Sequence, residues 1–95
     1  MTEQLTSIML IEDDEVDIMN VQRAFQKNKI TNPFYIARNG VEALQMLRGE
    51  NGINVVPQII LLDINMPKMG GLEFLAAIRA DEKLKAISVF IFAFG

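Results

Sequence analysis

The stretch "QIILLDINMPKMGG", Gln58 to Gly71, decides how the rest of the chain reads. Four apolar residues, Ile59 to Leu62, lead without a break into Asp63. An apolar run of that length suits a parallel strand covered on both faces. The Asn-Met-Pro and Gly-Gly that follow are turn-forming residues, so a tight loop is expected beside the carboxylate. A strand this apolar that ends on an acid places that acid at the rim of a sheet.

Working outward, the other segments alternate between strand and helix. "SIMLI", Ser7 to Ile11, reads as a short buried strand. From Glu15 to Asn28, Ile18, Val21 and Phe25 fall at helical spacing. A strand is expected from Phe34 to Arg38, after the break at Asn32-Pro33, and a helix from Val41 to Arg48, stopped by Gly49. Gly71 to Ala80 reads as a helix that turns Leu72, Leu75 and Ile78 inward. "DEKLKA" is a solvated connector, and "ISVFIFAFG", Ile87 to Gly95, is a final strand. The order βαβαβαβ implies an α/β fold with parallel pairing and right-handed crossovers, in one domain spanning residues 1–95.

Composition narrows the function. Nine Lys and Arg against twelve Asp and Glu give a net charge of −3, which offers no electrostatic reason to expect nucleic-acid or membrane binding. The chain has no Cys, so thiolate sites are excluded and a reducing cytosol is the expected location. Without His there is no imidazole ligand or base. "MTEQLTS" lacks the pattern of a signal peptide. "ISVFIFAFG" is far shorter than the roughly 20 residues that span a bilayer.

The acids gather where ligands sit in open parallel sheets, at the strands' carboxyl ends. "LIEDDEVD" places Glu12, Asp13 and Asp14 after the first strand, and Asp63 ends the third. Like charges held together raise one another's pKa, and a cation relieves that cost. Carboxylates without His or Cys select a hard, oxygen-seeking ion: Mg²⁺, Mn²⁺ or Ca²⁺. Acids after a strand also cap the next helix. Capping is the favoured account of Glu15 and Asp17; for Asp14, a ligand role is favoured.

At these residues the chain resembles the receiver domain of two-component response regulators. The blocks are "IMLIEDDE", "ARNGVEAL", "PQIILLDINMPKMGGLEFL" and "IRADEKLKAI", in the family's order. "VDIMNVQRAF" and "IRADEKLKAI" look most like the small single-domain regulators that partner bacterial phytochromes. The resemblance implies a flavodoxin-like sheet, here of order 2-1-3-4, and a cytoplasmic signalling module, not an enzyme. It makes Asp63 the acceptor of a phosphoryl group from a sensor histidine kinase. It implies Mg²⁺ or Mn²⁺ held by Asp13, Asp14, Asp63 and the backbone carbonyl of Asn65, with Asp14 the more direct ligand. A Mg²⁺-dependent phosphatase is disfavoured, because Asn65 stands where such enzymes have a second Asp.

Two departures shape the expectations further. Ala93 stands where the family has a Thr or Ser hydroxyl, and the chain ends before the fifth strand and its lysine. A truncated receiver domain, natural or engineered, with impaired phosphorylation is therefore expected. Ser88 stands where the family usually has Pro, and Phe90, Phe92 and Phe94 alternate onto one face. With no fifth strand beside it, Ile87 to Gly95 becomes an apolar edge, and self-association through it into a homodimer or larger oligomer is expected. A self-associating fragment without signalling activity is the alternative function.

Overall fold

The computed structural model describes residues 6–50, 56–63 and 70–92. The elements run β1 (Ile8–Ile11), α1 (Glu15–Lys27), β2 (Phe34–Ala37), α2 (Gly40–Arg48), β3 (Ile59–Asp63), α3 (Gly71–Ala80) and β4 (Ser88–Phe92). All pairings are parallel, in the order β2-β1-β3-β4. That is the expected flavodoxin-like arrangement, with element limits close to those read from the sequence.

The crossovers explain the layers. The chain moves one way across the sheet from β1 to β2 and the other way from β2 to β3 and β4. Right-handed connections then place α1 on one face and α2 with α3 on the other. Met9, Ile11, Ile60 and Leu62 point to the α2–α3 face, where they form one buried cluster with Ala43, Leu44, Leu47, Phe74 and Ile78. Leu10 and Ile18 are buried outside that cluster, on the α1 face. Phe25 of α1 and Phe34 of β2 meet edge to face there, ring centres 5.0 Å apart.

The inward face of α3 differs from expectation. Leu72 is 66% exposed, whereas Phe74 and Ile78 are fully buried and Leu75 is half-buried. Two residues along a helix turn the side chain by about 200°, so Leu72 and Phe74 cannot both face the sheet. Phe74 has more area to bury, and its spacing of four to Ile78 sets the orientation.

β4 is the sheet's edge among the described residues. Leu61 lies opposite Phe90 and Asp63 opposite Phe92, so both Phe residues lie on the α1 side, as their alternation implies. Phe90 is 57% exposed and Phe92 half-buried. The Ser88 amide, which a Pro at this position would lack, donates to the Gln58 carbonyl inside the sheet (3.3 Å). Phe94 and the remainder of "AFG" lie outside the described residues.

Candidate metal and phosphoryl site

Parallel register builds the site. Ile11 pairs with Leu62, so the next residues, Glu12 and Asp63, emerge side by side at the carboxyl ends of β1 and β3. The Glu12 amide donates to the Ala37 carbonyl (3.0 Å), which extends the β1–β2 ladder by one residue and holds Glu12 in the sheet. Glu12 is fully buried, Asp63 is 4% exposed and Asp13 is exposed. Glu12, Asp13 and Asp63 each offer a carboxylate oxygen, all within 4.8 Å of one another.

The structure gives Asp14 a different task from the one expected. It is the N-cap of α1, with Oδ1 accepting from the Val16 amide (2.8 Å) and the Asp17 amide (3.2 Å). Glu12, left out of the expected ligand set, takes its place in the convergent group. Asn65 lies outside the described residues, as does the rest of the loop after β3 up to residue 69.

Electrostatics confirm the crowding. Burial first of all, then the neighbouring carboxyls of Asp63 and Asp13, push the Glu12 pKa up to about 8, against the opposing hydrogen bond from the Asp14 amide. That amide donates to Glu12 Oε1 (3.1 Å). Glu12 Oε2 is buried with no hydrogen-bond partner among the described residues. The Asp17 carboxyl is also raised, by desolvation and then by repulsion from Asp14, Asp63 and Asp13. An orphaned buried carboxylate oxygen beside two more carboxylates fits a hard divalent cation, whose bonds would satisfy that oxygen and offset the repulsion.

Sequence reasoning also passed over Arg38. It follows the last residue of β2 and reaches back to the first turn of α1, where Nη1 donates to Glu15 Oε1. Its only signal in the sequence is a cation directly after a strand.

Residues 8–93 match the response regulator receiver domain family. The chain is 37% identical over 86 residues to the response regulator Rcp1 of Synechocystis, covering 88% of this chain and 58% of that protein. It therefore spans little more than half the length of that curated relative. A two-component response regulator from Legionella pneumophila superposes with a TM-score of 0.85 at 45% identity, covering 95% of this chain and 70% of that one. The Mn²⁺-bound form of Rcp1 gives a TM-score of 0.84 at 34% identity, covering 95% and 66%.

Proposed function

Because this chain belongs to the response regulator receiver domain family, we propose that Asp63 accepts a phosphoryl group from a sensor histidine kinase with the help of Mg²⁺. The observation that carries this reading is the burial of Asp63 at the end of β3 beside Glu12 and Asp13, with Glu12 Oε2 unpartnered among the described residues. Asp13 and Asp63 would hold the ion, with Glu12 as a further oxygen, and the Asn65 carbonyl would complete the set. Mn²⁺ suits the same oxygens, and the Mn²⁺-bound form of Rcp1 supports the choice of metal class. The ion's contribution is charge neutralisation and alignment of phosphoryl oxygens.

The chain's own part is positioning. β3 is a rigid apolar rail that holds the Asp63 carboxylate at the rim, where one of its oxygens attacks phosphorus. A P–O bond forms as the donor's P–N bond breaks, and the electron pair returns to the histidine nitrogen, which takes a proton from solvent. Burial excludes water from the acceptor's apolar side. Ala93 offers no hydroxyl to a phosphoryl oxygen, so we propose that the adduct forms slowly.

Intact-mass spectrometry after incubation with acetyl phosphate and Mg²⁺ tests this. A single phosphoryl adduct in the wild type, absent from Asp63→Asn, is the expected result. An adduct that persists in Asp63→Asn defeats the assignment.

The exposure of Phe90 on an edge strand favours a second reading, self-association through the strand beginning at Ile87, without signalling activity. A second copy could pair with β4 or cover the Phe face. The acetyl phosphate experiment separates the readings: a chain that assembles in light scattering yet never gains the Asp63 adduct supports the second.

A further inference from the structure

The described cations are sorted by end. Helices in this fold run antiparallel to the strands, so their first turns share the rim with the strands' carboxyl ends. Glu12, Asp13, Asp14, Glu15, Asp17 and Asp63 all lie at that rim. Lys27, Arg48 and Arg79 occupy the last turns of α1, α2 and α3, and Lys29, Lys83 and Lys85 follow helix ends, so these cations lie toward the opposite end. Arg23 sits more than two turns down α1. Arg38, directly after β2, is the one described cation at the acidic rim.

Its attachment there is weak. The Arg38 and Glu15 side chains are 49% and 65% exposed, and exposed ion pairs contribute little. A phosphoryl group offers the guanidinium a better partner, because its planar fork matches two phosphoryl oxygens at once. β2 lies two strand spacings, about 10 Å, from β3, a gap that an arginine and a phosphoryl group extending from Asp63 can share.

We propose that Arg38 is the anion-recognition residue of this rim, held ready by Glu15 and released to the oxygens of an incoming phosphoryl donor. The inference rests on the phosphoacceptor reading of Asp63 and adds how the dianion is admitted to a strongly acidic surface. Glu15 serves as a placeholder for the phosphoryl oxygens. It keeps the guanidinium at the rim without drawing it down onto the metal-binding carboxylates.

Because Arg38 repels a cation but attracts a phosphoryl group, its removal should move two measurements in opposite directions. The test compares wild type, Arg38→Ala, Arg38→Lys and Glu15→Gln, each first shown to fold by thermal denaturation. The readouts are the rate of acetyl phosphate modification at saturating Mg²⁺ and, separately, Mg²⁺ affinity by calorimetry. Arg38→Ala should react about tenfold more slowly, equivalent to about 1.4 kcal/mol of barrier, yet bind Mg²⁺ about two- to threefold more tightly at low salt. Arg38→Lys should recover part of the rate, and Glu15→Gln should react faster while binding Mg²⁺ more weakly. If Arg38→Ala reacts as fast as the wild type, or loses rate and metal affinity together, the inference fails while the phosphoacceptor reading stands. A wild type that is never modified on Asp63 overturns the phosphoacceptor reading itself, whatever the Mg²⁺ titrations show.

Discussion

Glu12 and Asp63 stand next to each other because each is one residue past the Ile11–Leu62 pair of neighbouring parallel strands. Both are removed from water, and a third carboxylate, that of Asp13, closes the group. Two buried acids at adjacent strand ends work against folding unless a proton or a cation intervenes. The raised pKa of Glu12 marks the proton's answer, and the proposed Mg²⁺ site marks the cation's.

That competition predicts a pH dependence. The folded pKa of Glu12 lies near 8, above its ordinary value of 4.5, so between these values the folded state binds the extra proton. In chelator, stability is therefore full below about pH 4.5 and is lost as pH rises toward 8. Glu12→Gln, which cannot ionise, should flatten this loss and raise the metal-free Tm at pH 8 by about 5 °C, about 1 kcal/mol for a domain of this size. Mg²⁺ affinity of the wild type should rise over the same range, since binding expels the proton. Melting curves from pH 5 to 9, with chelator and with Mg²⁺, check both; a chelator-treated wild type whose Tm rises with pH between 6 and 8 contradicts the Glu12 assignment.

Asp13 and Asp14 should separate by role. Asp13→Ala is expected to weaken Mn²⁺ binding at least tenfold with little change in stability. Asp14→Ala removes the cap of α1, with an expected cost of about 0.5–2 kcal/mol, and leaves metal affinity within a few-fold. Mn²⁺ titration by electron paramagnetic resonance, paired with urea denaturation, distinguishes them. Equal loss of metal affinity in both variants would restore Asp14 to the ligand set.

On α3, Phe74→Ala should cost about 3–5 kcal/mol through lost burial and the cavity left behind. Leu72→Ala, at an exposed position, should change stability by less than about 0.5 kcal/mol. Urea unfolding reads both, and comparable losses would mean that α3 is rotated from the orientation described.

For β4, the wild type should grow in apparent mass with concentration, and Phe90→Lys should suppress that growth. An exposed charge at an edge strand opposes pairing with another chain. Multi-angle light scattering over a wide concentration range decides the matter. A wild type that stays monomeric throughout argues against self-association.

The sequence by itself determined the order of elements, the parallel α/β class and the position of Asp63. These follow from local signals: unbroken apolar runs, helical spacing, and turn residues within a few positions of each element's end. The resemblance to receiver domains came from blocks read in the same local way. Tertiary structure decided which side chains meet. Register across β1 and β3 brought Glu12, rather than Asp14, beside Asp63, and no local pattern in "EDD" distinguishes the three acids. The same holds for α3, where Leu72 and Phe74 offered rival inward faces until packing chose the larger ring. Arg38 found its partner on an element 23 residues away in sequence. Contacts of that kind depend on how strands are ordered and how helices cross the sheet, and neither is written into any short stretch of chain.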